Sequence, residues 1–381
     1  MKNLLPNLEG DARLWGIFFL LAVVSFFSVY SAISNIAFLH HEGNTLTVFL
    51  RHIFYYVFGF ILVYYVSKVN LKYIKNLPVI LFPIVIFLLF YTLTQGVTIG
   101  EATRWIRLPF IGVSFQTSEL AKFILIMLLA RNLVVYKDKL NDLKTSLLHF
   151  IFPIGLVCLL ILPSNLSTTA LVFTISLIVL FVGNFPIRKI VAMLGSGIFL
   201  LLIFTLLNLA FPNLMPDRVG TWINRIENFT LDNPKDNFQV QKAKIAIANG
   251  GFFGQGPGKS TQKNFLPQSS SDFIFAVIVE EWGLLGGVFI LMLYFYFLIR
   301  VVNIARRNSN EYLSLIAIGT GLGIVFQAFI NMGVAVNLLP VTGQTLPMIS
   351  TGGTSLWITC IALGIILNIS RKKYTQMQIV V

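Results

Sequence analysis

Long apolar runs separated by short, charged connectors set the pattern of this chain. Runs near Leu14–Ile33, Val48–Ser67, Leu77–Leu93, Ser118–Tyr136, Leu147–Leu162, Thr168–Asn184, Ile190–Ala210, Phe273–Arg300, Tyr312–Val336 and Ile349–Ile369 are long enough to cross hydrocarbon as helices. The pattern predicts an all-α polytopic membrane protein of about ten spans, a single domain over residues 1–381, with both termini on one side. The connectors alternate in charge. Lys68, Lys72 and Lys75, then Arg131, Lys137, Lys139 and Lys144, then Arg188 and Lys189, then Arg300, Arg306 and Arg307, then Arg371, Lys372 and Lys373 share a side with Lys2 and Arg13. The bias of Lys and Arg toward cytoplasmic loops makes that side, and both termini, cytoplasmic.

The opposite side carries short loops and one long segment, residues 211–272, between the seventh and eighth spans, rich in Gly, Asn, Gln and Pro. Within it Phe238, Val240, Ala243 and Ile247 recur at roughly helical spacing, with Gly250 and Gly251 as a stop. This suits either a short helix lying on the membrane surface or a plain solvated loop.

Composition agrees with the pattern. At 56% hydrophobic and 11% charged, the chain cannot bury its apolar surface in a soluble globule. The net charge of +13 would raise nucleic acid in a soluble protein, but connector topology accounts for the excess and no nucleic-acid partner is expected. Cys158 and Cys360 both fall inside apolar runs, with neither disulfide nor metal-site spacing. The first run lacks a small-residue cleavage pattern, so it reads as a retained span.

Candidate chemistry sits where polar groups meet the membrane. Glu119 and Lys122, at i and i+3 in the fourth span, share a helix face and need a reason to be there. An internal ion pair that locks packing is one reason; contact with an anionic substrate group in a cavity is the other. The outer loop Gly100-Glu101-Ala102-Thr103-Arg104-Trp105-Ile106-Arg107 sets two guanidinium groups beside an indole, which suits a diphosphate and a lipid headgroup and equally suits an aromatic belt. Asp272 ends the long outer loop at the mouth of the eighth span, as a helix cap or as a functional carboxylate. Glu280 and Glu281 follow about 12 Å deeper at the α-helical rise, and at least one of them should face a polar interior. Gly254-Gln255-Gly256-Pro257-Gly258-Lys259-Ser260 superficially resembles a phosphate loop, but Phe253 stands where the first glycine belongs and no strand precedes it, which excludes a nucleotide site. The last outer loop, Asn337 to Ser355, is dense in Gly and Pro at membrane depth, where irregular backbone must be buried in protein or line a wet cavity. Its Gly343, Ser350, Gly352, Gly353, Thr354 and Ser355 are therefore candidate substrate-binding residues, with a rigid structural plug as the alternative.

Four landmarks occur in order: Thr103-Arg104-Trp105-Ile106; Gln116-Thr117-Ser118-Glu119-Leu120-Ala121-Lys122; Phe265-Leu266-Pro267 through Asp272-Phe273-Ile274-Phe275-Ala276 with Glu280-Glu281; and Leu339-Pro340-Val341-Thr342-Gly343 through Gly352-Gly353-Thr354-Ser355. Together they resemble the SEDS family (shape, elongation, division and sporulation), which includes RodA and FtsW. The resemblance runs from the first span to the last, and the ending Pro340-Val341-Thr342-Gly343-Gln344 looks closer to division-type members. It implies a ten-helix glycosyltransferase of the bacterial cytoplasmic membrane that polymerises lipid II into peptidoglycan glycan strands. It also implies partners: lipid II and the growing strand, a class B penicillin-binding protein that crosslinks, other division or elongation proteins, and the lipid bilayer. Position by position, Asp272 matches the family's essential outer-loop aspartate, Arg104 and Trp105 its outer-loop motif, and Glu119 and Lys122 its intramembrane pair.

Three positions depart from the family's usual pattern. Thr117 replaces the proline of Gln-Pro-Ser-Glu, Ser270-Ser271-Asp272 replaces His-Thr-Asp, and Asn165-Leu166-Ser167-Thr168 replaces Asp-Leu-Gly-Thr. The second leaves no imidazole beside Asp272, and the third removes an acid that would otherwise hold a cation. The implied chemistry needs one base and no covalent sugar–enzyme intermediate: Asp272 takes the acceptor hydroxyl's proton, while Arg104, Arg107, Lys122 or a divalent cation, Mg or Mn, offsets charge on the diphosphate. No cofactor is certain. Two other classes stay open, a flippase for lipid-linked precursors, motivated by the spans and the Glu119–Lys122 pair, and a non-catalytic scaffold that docks envelope proteins through the long loop.

Overall fold

Inside hydrocarbon every backbone N–H and C=O must find a partner within the protein, so each apolar run is driven to be a helix. The computed structural model describes residues 8–40, 45–99, 102–107, 114–210, 220, 238–266 and 269–371, and each predicted run overlaps a helix there. In chain order these are α1 (Ala12–His40), α2 (Thr45–Val66), α3 (Leu71–Gln95), α4 (Thr117–Val135), α5 (Leu143–Ile161), α6 (Leu166–Val182), α7 (Ile187–Ala210), α8 (Phe238–Gly250), α9 (Ile274–Arg307), α10 (Glu311–Ala335) and α11 (Thr354–Ile369). Among the described residues six, α1, α2, α3, α5, α9 and α10, contain a stretch long and apolar enough to cross a membrane; α6 and α11 are shorter apolar helices. Ile80, Phe87 and Phe90 on α3, and Phe199, Leu202 and Leu206 on α7, are exposed, as side chains facing lipid are. The protein is a multi-pass membrane protein. Most of the long segment expected on the outer side, 211–219 and 221–237, lies outside the described residues.

The chain divides into two compact units. One comprises residues 1–69, 231–307 and 321–375; the other comprises 70–230, 308–320 and 376–381.

In the first unit α9 is interrupted at Gly283, whose φ of 70° and ψ of −172° are non-helical. The interruption frees carbonyls on one side and N–H groups on the other, and the segment after α8 answers both. The amides of Gln255 and Gly256 donate to the Glu280 and Glu281 carbonyls at 3.0 Å, while those of Leu284 and Leu285 donate to the Gly251 and Phe252 carbonyls at 2.9 and 3.4 Å. The backbones pass so closely that a Cβ at Gly254 would lie 2.2 Å from the Glu281 oxygen, and one at Gly283 would lie 2.3 Å from the Phe252 oxygen. The glycine-rich run excluded as a nucleotide site thus serves to cross a broken membrane helix. Gly283→Ala meets both the clash and a left-handed φ. It should lower stability by at least the roughly 1–3 kcal/mol such strain costs, read as a drop in thermal midpoint in lipid nanodiscs; an unchanged midpoint contradicts this crossing.

Of the two expectations for this stretch, helix or plain solvated loop, the helix forms: α8 ends at Gly250, with Val240, Ala243, Ala246 and Gly250 buried, and packs along α9. A correction concerns the last span. Residues 349–353 are not helical, and α11 starts at Thr354, because Ser350 and Thr351 spend their hydrogen bonds on the Ser270–Ser271 turn instead.

The second unit is built around α4, buried along nearly its whole length against α3, α5 and α6. Where the sequence suggests a plain outer loop, the chain forms a three-stranded antiparallel sheet, β1 (Val97–Ile99), β2 (Ala102–Arg107) and β3 (Ser114–Gln116). Trp105 pairs with Val97 and Gln116, and Arg107 with Ser114, so an otherwise all-helical fold carries one small sheet.

Candidate active site

Asp272 sits half-buried just ahead of α9 in the first unit, and its backbone is anchored from several directions. Asn331 on α10 donates through Nδ2 to the Asp272 carbonyl at 2.8 Å and to the Gln344 carbonyl at 2.7 Å. Ser350 Oγ donates to the Ser271 carbonyl at 2.6 Å, and Thr351 donates to the Ser270 carbonyl from both N and Oγ1 at 2.9 Å. The Gly/Pro-rich loop that supplies these donors is itself held: Ser25 donates to the Ile349 carbonyl at 2.7 Å, Tyr294 to that of Pro347, and Gln327 to that of Thr345 at 3.3 Å. Leu346, Met348 and Ile349 are buried. Of the two alternatives that the sequence left, these bonds support the structural plug: the loop is pinned from several helices and holds the turn that precedes α9.

The structure therefore brings Asp272 together with Ser350 in this unit. Gly352, Gly353, Thr354 and Ser355 form the start of α11, where the amide and hydroxyl of Ser355 both donate to the Gly352 carbonyl at 3.0 Å. Gly343, with φ of 65°, precedes the anchored Gln344.

At the seventh and eighth positions of α9 the two buried acids have separate tasks. Glu280, 0% exposed, accepts from the hydroxyls of Ser260 and Thr261 (the latter at 2.9 Å) and from the backbone amides of Thr261 and Gln262 at 3.2 Å each. Glu281 accepts from Ser31, and Lys263 donates to the same Ser31 hydroxyl at 3.1 Å and to the Gly258 carbonyl at 2.7 Å. These carboxylates hold the stretch Gly258–Lys263, which leads toward the Asp272 turn. Glu280→Ala strands those donors at about 1–3 kcal/mol for an unsatisfied buried group. Trypsin should then cleave after Lys259 or Lys263 much faster than in the unmodified protein; equal resistance would show that Glu280 does not hold this stretch.

In the second unit Lys122 donates to Glu119 Oε2 at 2.7 Å, and both residues are buried on α4. Arg104 on β2 donates through Nε to the Ser164 carbonyl at 3.2 Å and borders a small cleft with Thr92, Thr117, Ser118 and Leu89. Trp105 is half-buried and Arg107 exposed. Asn165 caps α6, its Oδ1 accepting from the Thr168 amide at 3.2 Å.

No cluster of three or more His, Cys, Asp or Glu side chains is placed to hold a metal among the described residues. The site also contains residues that motif reading missed. Asn331, like Gln327 one turn earlier, is an amide in an apolar run, which is itself a signal of function or packing in a membrane; its Oδ1 is buried without a partner among the described residues. Ser31 and Ser260 carry no such signal, since small hydroxyls are common in membrane helices and loops.

Comparison with known proteins identifies the family. The FtsW/RodA/SpoVE family model, described as a cell cycle protein, matches residues 11–375. A protein of Enterococcus hirae described as a probable peptidoglycan glycosyltransferase FtsW is 28% identical over 377 residues, covering 96% of this chain and 94% of its own. One of the same description from Coxiella burnetii is 32% identical over 338 residues, covering 86% and 87%. Among solved structures, a chain of a peptidoglycan synthase complex, studied for the coordination of polymerisation and crosslinking, superposes with a TM-score of 0.72 at 25% identity, covering 96% of this chain and 98% of that one. The rod shape-determining protein RodA of Thermus thermophilus superposes with a TM-score of 0.69 at 24% identity over the same shares. With nearly its whole length matched by the family model and by relatives of about a third identity, this chain belongs to the FtsW/RodA/SpoVE family.

Proposed function

We propose that this protein is a peptidoglycan glycosyltransferase that polymerises lipid II into glycan strands at the outer face of the bacterial cytoplasmic membrane. The observation that carries this reading is the multiply anchored turn that ends in Asp272: Asn331 holds the carbonyl of Asp272 itself, and Ser350 and Thr351 hold those of Ser271 and Ser270. Preorganised positioning of that kind is what a general base needs.

In the proposed reaction a hydroxyl of the acceptor sugar attacks the donor's anomeric carbon. The new C–O bond forms as the bond from that carbon to the lipid diphosphate breaks, with inversion, and the hydroxyl proton passes to Asp272. The diphosphate leaves with added negative charge, which cationic groups offset. Ten spans, cytoplasmic termini and an outward 211–272 segment complete the topology, all within one membrane domain. The working partner is proposed to be a class B penicillin-binding protein, since the superposing complex is one that coordinates polymerisation with crosslinking.

The test is chain extension of labelled lipid II by the purified protein, with and without the partner and with added Mg, Mn or chelator. Glycan ladders support the reading. Movement of the labelled precursor across vesicles with no extension, under every one of these conditions, overturns it in favour of a flippase.

A further inference from the structure

In the second unit, the start of α3, the end of α4 and the start of α10 enclose an open cleft. Its walls are mainly apolar, contributed by Leu71, Val134, Val135 and Leu313, and three cations border it: Lys72, Lys75 and Arg131. Arg131 is half-buried and its Nε is shielded from solvent with no hydrogen-bond partner. Among the described residues no carboxylate pairs with any of the three cations; the nearest acid along α10, Glu311, is engaged by Lys137 at 2.5 Å. The Tyr312 hydroxyl is likewise engaged, donating to the Ile74 carbonyl at 2.9 Å.

A guanidinium partly withdrawn from water without an anion is an incomplete arrangement. A soluble anion would satisfy the charge and leave the apolar walls uncovered. A peptide would bring backbone donors and acceptors that these walls cannot meet. An amphiphile with one negative head and apolar tails satisfies both requirements, and the cleft lies at helix ends flanked by the lysine-rich connectors, the level at which headgroups lie.

We propose that this cleft binds an anionic phospholipid, its phosphate on Arg131 with Lys72 and Lys75 at the mouth, and its acyl chains against Leu71, Val134, Val135 and Leu313. The proposal is independent of the glycosyltransferase reading, because it is tested by binding alone.

The experiment uses the full-length protein in neutral detergent, titrated with phosphatidylglycerol, phosphatidylcholine or inorganic phosphate and read by native mass spectrometry. Phosphatidylglycerol should bind and phosphatidylcholine should not. Arg131→Gln should weaken phosphatidylglycerol about five-fold, the effect of one basic residue near a membrane surface. The pair Lys72→Gln/Lys75→Gln, one residue exposed and the other half-buried, should weaken it at least as much, and decides the matter if Arg131→Gln does not fold. Lys144→Gln, on a neighbouring connector, should leave binding unchanged. Equal affinity for phosphatidylcholine, unchanged binding in the cleft variants, an equal loss in Lys144→Gln, or displacement of the lipid by equimolar inorganic phosphate would each overturn the proposal.

Discussion

Asp272→Ala should abolish chain extension from lipid II while the protein remains folded. Removing a general base costs about a hundred- to ten-thousand-fold in rate, and no imidazole stands beside Asp272 in sequence to take over, since Ser270 and Ser271 precede it. Folding should survive because Asn331 holds the main-chain carbonyl of Asp272, and Ser350 and Thr351 hold the carbonyls of the two residues before it. Side-chain truncation leaves those bonds in place. Asp272→Asn, nearly isosteric but unable to accept a proton at neutral pH, should be as inactive as alanine. The measurement pairs gel analysis of the glycan product with the thermal midpoint in nanodiscs. Polymerisation at the unmodified rate by either variant would remove Asp272 from the chemistry.

Lys122→Met should destabilise the protein by about 3–5 kcal/mol, because it removes the cation paired with the Glu119 carboxylate, which is buried in the first turn of α4. Adding Glu119→Gln removes that charge, and most of the lost stability should return, since an apolar or neutral replacement of a buried pair is often tolerated. Activity separates the two reasons for having the pair at all. If the pair only locks helices together, the double variant polymerises lipid II once it folds. If Lys122 meets an anionic substrate group, the double variant is stable and slow. Thermal midpoints of the two single variants and the double variant form a double-mutant cycle for stability, and rates on the same samples form one for function. A stable double variant with full activity would leave Glu119 and Lys122 with a structural role alone.

Much of the architecture is readable along the chain because lipid removes water as a hydrogen-bond partner. An apolar run of about 20 residues then has to satisfy its own backbone, and helix is the local way to do so. Each predicted span accordingly overlaps a helix, and the Gly250-Gly251 stop falls where α8 ends. The pairing of Glu119 with Lys122 is also local, since i and i+3 share a face whatever surrounds them. The order of the landmark motifs likewise points to the family without coordinates.

Features that join distant segments could not be read this way. The break in α9 at Gly283 is tolerable only because Gln255 and Gly256 come back to its open carbonyls, and no hydropathy window carries that information. The strand character of β2 depends on β1 and β3 beside it. Ser31 finds Glu281 across 250 positions, and Asn331 finds the Asp272 carbonyl across 59. Local hydrogen bonding and solvent exclusion thus marked out the membrane helices, the buried ion pair and the candidate carboxylate from residue order. Which backbone groups clamp that carboxylate, what the deeper acids hold, and where a guanidinium is left without an anion became visible only once the chain had folded, because each depends on segments far apart in sequence meeting within hydrogen-bond reach.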